Sequence, residues 1–170
     1  MIGAGLPIDS IQSTGVSMSK SAIVGGVLVA ALTLTGSAHA GWELGVGGTQ
    51  KIDGEATWLT TVSYVTSQQR FPWELMAGFI DGRGSIGSGA VPDQYFVGVS
   101  KRYNFVDNFY ASFGVAFNDR DTDVLSGHVQ FQSALGWHYR RVGLSIRHLS
   151  NASIEGRNRG ETFVLLQVGF

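Results

Sequence analysis

Apolar and polar positions alternate with a period of two along most of this chain, and the 3.6-residue repeat of an amphipathic helix is missing. Eight segments read this way: 42–49, 56–66, 72–81, 94–103, 108–118, 127–139, 141–150 and 161–170. The sixth is the clearest. Val129, Phe131, Ser133, Leu135, Trp137 and Tyr139 share one face, while His128, Gln130, Gln132, Ala134, Gly136 and His138 share the other. In the fifth, Phe109, Ala111, Phe113, Val115 and Phe117 oppose Tyr110, Ser112, Gly114, Ala116 and Asn118. So regular a series predicts an all-β chain folded as an eight-stranded antiparallel up-and-down barrel, closed so that no sheet edge is left unpaired.

Alternation does not say which face lies outside. A soluble lipid-binding barrel turns its apolar face inward, whereas an outer-membrane barrel turns it toward hydrocarbon. Four features favour the transmembrane form. The less apolar face is rich in Gly, Ser and Gln, which suits the filled interior of a narrow barrel. Trp42, Trp73, Tyr95, Phe109, Trp137 and Tyr139 fall at segment ends, where an interfacial girdle would sit. The connections 50–55, 82–93, 119–126 and 151–160 are long, while 67–71, 104–107 and Arg140 are short. Long loops on one side and short turns on the other mark outer-membrane barrels. Last, the chain ends on an apolar strand closed by Phe170. The short turns then face the periplasm, and the loop 151–160 lies outside the cell.

Composition adds exclusions. The chain has 170 residues and no cysteine, which removes disulfides, thiolate metal sites and thiol catalysis. A net charge of −1 offers no basic field for nucleic acid. Upstream of the strands, Met18-Ser19-Lys20 precedes an apolar run from Ala22 to Leu34, then Ala38-His39-Ala40. A positive start, a short apolar core and an A-x-A site describe a secretory signal peptide. Residues 1–40 are expected to be a leader and signal peptide cleaved after Ala40, with 1–17 preceding the true start at Met18 and 41–170 forming the outer-membrane barrel.

One place on the lipid-facing pattern is out of character. In 141–150, Leu144, Ile146, His148 and Ser150 share the apolar face. Polar groups turned toward hydrocarbon are costly unless they pair. Residues two apart on a strand lie about 6.5–7 Å apart on the same side. Ser150 can therefore serve as nucleophile and His148 as its base. A third group should orient the imidazole. Glu161 is the carboxylate of the neighbouring strand, and Glu155 in the loop is the reserve. Parity counted back from Phe170 gives the lipid face to Thr162 and turns Glu161 inward, so Glu161 reaches the site only if the strand has not settled into register there or carries a bulge. Asn151 and Asn158, with backbone amides of 151–153, are the oxyanion candidates. The dyad would lie at the outer-leaflet boundary, facing ester-linked acyl chains of lipopolysaccharide.

The stretch His148-Leu149-Ser150-Asn151-Ala152, followed by Asn158-Arg159-Gly160-Glu161, resembles the lipid A 3-O-deacylases of the PagL type, with their H-x-S-N-A, N-x-G and Glu. The resemblance implies an eight-stranded outer-membrane barrel that hydrolyses the acyl ester at the 3 position of lipid A with a His-Ser-Glu triad and no cofactor or metal. It places the base on His148, the nucleophile on Ser150, the acid on Glu161 and an oxyanion region on Asn151 and Asn158, and it leaves room for a homodimer. The chain departs from the pattern at one place: Glu161 follows Gly160 directly, and Thr162 stands where the family's Glu is expected. Without chemistry at the dyad, the alternative is a small structural or adhesive barrel. Arg157 and Arg159 are candidates to hold lipid A phosphates. Arg102, Arg147, Glu43 and Glu74 read as interior ion pairs, and His128 and His138 as interior hydrogen-bonding groups.

Overall fold

The computed structural model describes residues 41–53, 55–86, 89–106, 108–156 and 159–170. The expected leader, signal peptide and cleavage point after Ala40 lie outside them. Among the described residues ten strands form: β1 (Trp42–Thr49), β2 (Trp58–Val65), β3 (Trp73–Ile80), β4 (Arg83–Ile86), β5 (Gly89–Val91), β6 (Gln94–Val106), β7 (Phe109–Asn118), β8 (Val129–Tyr139), β9 (Val142–Ser150) and β10 (Glu161–Gly169). Eight of them close a barrel in the order β1-β10-β9-β8-β7-β6-β3-β2, each antiparallel to its neighbours. These eight correspond to the eight alternating segments. The other two, β4 and β5, pair with each other as a hairpin inside the long connection between β3 and β6. Strands of four and three residues are too short to show an alternation, so that connection reads as plain loop.

The apolar face is outside. Val97, Phe113, Leu135, Leu144, Ile146 and Val164 are all exposed, as a hydrocarbon-facing band requires. Aromatic side chains pack together at both ends of this band. At the short-turn end the contacts are Trp42–Tyr64 at 5.2 Å, Phe71–Tyr103 at 5.2 Å and Trp137–Tyr139 at 6.3 Å. At the long-loop end they are Trp58–Phe79 at 5.7 Å and Phe79–Tyr95 at 5.0 Å. Rings with an apolar body and a polar tip belong at such interfaces.

The interior has two tiers. Toward the short turns, Glu74 is held by Arg147 and Arg102, each with Nη2 at 2.6 Å from Oε1. Arg102 also donates to both oxygens of Glu43, at 3.1 and 2.8 Å. Buried charges persist only when paired like this. Toward the long loops an apolar cluster of Leu59, Ile80, Phe96, Leu149 and Phe163, with Val124 and Leu125 from the β7–β8 connection, packs beside the buried polar side chains Gln94, Asn118, Gln130, Gln132 and Glu161. The polar filling expected from the sequence thus runs along the lumen, joined in its long-loop half by an apolar cluster. Glycine makes room inside: a Cβ at Gly78 would enter the Phe96 ring, and one at Gly136 the Tyr110 ring. His138 lies inside against Tyr110. His128 does not. β8 starts one residue later, and the exposed His128 ring stacks on outward-facing Phe117 at 5.5 Å.

Candidate active site

The outer end of β9 carries the polar pair on the lipid side of the wall. From Val142 to Ser150 the strand alternates strictly: Gly143, Ser145, Arg147 and Leu149 are buried, while Val142, Leu144 and Ile146 are exposed. His148 and Ser150 fall on the exposed parity and are half-buried. Neighbouring strands frame them. His148 is level with Ser133 of β8 and Thr162 of β10, and Ser150 is level with Phe131 of β8. Below the pair, toward the membrane centre, the wall is Ile146, Leu144 and Val164.

The imidazole is fixed on two sides. Its Nδ1 is 2.9 Å from Thr162 Oγ1. On the other side lies Gly160, where an added Cβ would sit 2.7 Å from Cε1 and 3.0 Å from Nε2. The register pairs Glu161 with Leu149, so Gly160 lies one residue beyond that pair. The Cε1–Nε2 edge of the ring is the one that lies against it. The Ser150 Oγ accepts the backbone N–H of Ala152 at 3.1 Å.

That N–H is delivered by a tight turn over 151–154. Ala152 and Ser153 both have positive φ, 54° and 61°, and the Ile154 N–H donates to the Asn151 carbonyl at 3.1 Å. Two left-handed central residues with this bond make a mirror-image turn. Asn151 builds it. Its Oδ1 accepts the Ser153 N–H at 2.9 Å, and its Nδ2 donates to the carbonyls of Ser126 at 2.7 Å and Glu155 at 2.5 Å. The β7–β8 loop is locked on as well, through Ser126 Oγ to the Glu155 carbonyl at 2.7 Å and Gly160 N–H to the Val124 carbonyl at 3.0 Å.

The expected third member is not brought to the dyad. The β9–β10 register runs unbroken from Glu161–Leu149 to Val168–Val142, with no bulge to turn Glu161 outward. Parity therefore prevails, and the Glu161 carboxylate points into the barrel. There it forms an ion pair with Arg83 of the β4–β5 hairpin, both side chains almost fully buried. Glu155, the reserve candidate, is exposed, and its carboxylate lies beside Gly127 of the neighbouring loop. Asn151 is close to Ser150, but its amide nitrogen is engaged with loop carbonyls. Arg159 pairs with Asp53 at 2.6 Å. Asn158 and Arg157 lie outside the described residues. The Thr162 contact was accessible to the parity count, whereas no pattern singles out Arg83, which meets Glu161 from 78 residues away.

Fold and site together define an outer-membrane barrel that presents a serine and a histidine sideways to lipid. The lipid A 3-O-deacylase (PagL) family model matches residues 36–170, and the chain belongs to that family. It is an outer-membrane acyl-ester hydrolase whose substrate is lipid A. Neither the curated proteins nor the solved structures gave a match.

Proposed function

We propose that the chain removes the 3-O-acyl group by serine catalysis, with Ser150 as nucleophile and His148 as general base. The observation that carries this reading is the pair's position on the outward parity of β9, at its outer end, above an apolar wall. An acyl chain lying along Ile146, Leu144 and Val164 brings its ester to Ser150 without leaving the membrane.

Ser150 Oγ attacks the ester carbonyl while His148 Nε2 takes its proton. The tetrahedral intermediate collapses, the C–O bond to the sugar breaks, and the leaving oxygen receives that proton. Water then attacks the acyl-serine, again losing a proton to His148; the acyl–Oγ bond breaks, Ser150 Oγ takes that proton back, and the fatty acid departs. The negative oxygen of each intermediate needs a fixed donor. The Ala152 N–H, already directed at Ser150 Oγ, is the best-placed candidate. Asn151 contributes by shaping the turn that holds it. Glu161 serves as a wall residue in this scheme.

Lipid A from a Gram-negative host expressing Ser150→Ala or His148→Ala should keep its 3-O-acyl chain, with each variant still folded in the outer membrane. General-base removal costs about 10²–10⁴-fold. Full acyl loss with folded Ser150→Ala would refute the assignment.

A further inference from the structure

We infer that Thr162 is the positioning residue of the dyad, its hydroxyl standing at His148 Nδ1 where a triad would hold a carboxylate. The inference rests on the reading of Ser150 as nucleophile and His148 as base, and goes beyond it by assigning the third position to a neutral group.

Three observations support it. Thr162 is level with His148 across β9–β10, and its Oγ1 is 2.9 Å from Nδ1. For His148 to accept the serine proton at Nε2, Nδ1 must carry the ring's own proton, and the Thr162 oxygen is then its acceptor. Second, the carboxylate next in sequence is engaged elsewhere: Glu161 is buried on the opposite face with Arg83. Third, the outer faces packed against the imidazole carry no charge among the described residues. β8 presents Phe131, Ser133 and Leu135, β9 presents Ile146 and Ser150, and β10 presents Val164. Arg147 alternates with His148 but points inward to Glu74. Of the nearby loop charges, Arg159 pairs with Asp53 and Glu155 lies against Gly127.

The physical consequence is a trade. A hydroxyl on the lipid face costs far less to desolvate than a carboxylate. It orients the ring and selects the tautomer, but it stabilises the imidazolium less, because a neutral acceptor bonds about half as strongly as a charged one. Thr162 is thus expected to act on kcat rather than on lipid binding.

The test uses the purified full chain in detergent with lipid A as substrate. Folding is checked by the heat-dependent shift of barrels on gels, and kcat and KM are followed against pH. Thr162→Val, isosteric but unable to accept, should lower kcat at least about tenfold with KM unchanged. Thr162→Ser should retain kcat. Thr162→Glu should move the acid limb of kcat to higher pH, because a carboxylate beside the ring favours its protonated form. A merely structural role predicts neither the serine rescue nor the moved limb. Folded Thr162→Val with unchanged kcat, or folded Thr162→Glu with an unmoved limb, overturns the inference. Should Thr162→Val fail to fold, the Ser and Glu variants decide it. Ser150→Ala separates the two readings: if it is inactive while Thr162→Val is unimpaired, only the role of Thr162 falls, and if it is active, both fall.

Discussion

Gly160 shows how narrowly the site is built at the scale of single residues. Its φ is +71°, a left-handed conformation that costs an L-residue about 1–2 kcal/mol. Its missing side chain is also the space the imidazole occupies, with a Cβ reaching 2.7 Å from His148 Cε1. Gly160→Ala therefore has to displace either the ring or the start of β10. The expected outcome is a folded barrel with a deacylation rate reduced at least about tenfold, since misplacement by about 1 Å can cost 10²-fold. A rate equal to the parent's would mean that the ring is held by Thr162 alone. Asn151 makes the complementary point. Its position beside Ser150 suggested an oxyanion role, yet its nitrogen bonds the Ser126 carbonyl, 25 residues away. Adjacency along the chain is visible in a sequence; what a side chain turns to meet across two loops is not.

Among elements, the junction of β10 with the β4–β5 hairpin adjoins the dyad. Thr162 faces His148 while Glu161, one residue earlier and on the other side of the wall, faces Arg83. Removing one partner of a buried ion pair leaves the other uncompensated and costs about 3–5 kcal/mol. Glu161→Gln or Arg83→Gln should lower the stability of the folded barrel by that order in urea unfolding. Arg83→Met with Glu161→Leu should recover much of it. The folded fraction of Glu161→Gln should still hydrolyse lipid A, and a folded but inactive variant would return the carboxylate to the catalytic machinery. The parity of β10 was legible from Phe170 backward and placed Thr162 outward correctly. The hairpin was not legible, because Arg83–Ile86 and Gly89–Val91 are too short for a period to show and Arg83 has no sequence neighbour that betrays its partner.

For the whole molecule, the eight barrel strands and the outward apolar face followed from the two-residue period, the paired loop lengths and the terminal Phe170. The lumen was legible only in part. Glu43, Glu74, Arg102 and Arg147 stood out as charges on the inward parity and do pair there. The tier formed by Leu149, Phe163, Val124 and Leu125 did not stand out. Val124 and Leu125 come from a loop, where no period shows which side chains turn inward. Together with the buried Gln132 and the Glu161–Arg83 pair, which share the level of Leu149, this tier fills the cylinder behind the wall that carries the dyad. Ions entering from the periplasm would meet a stopper of packed side chains. The barrel should thus be electrically silent when inserted in a planar bilayer, with no current steps under applied voltage. The water that releases each fatty acid must then arrive from the cell's exterior.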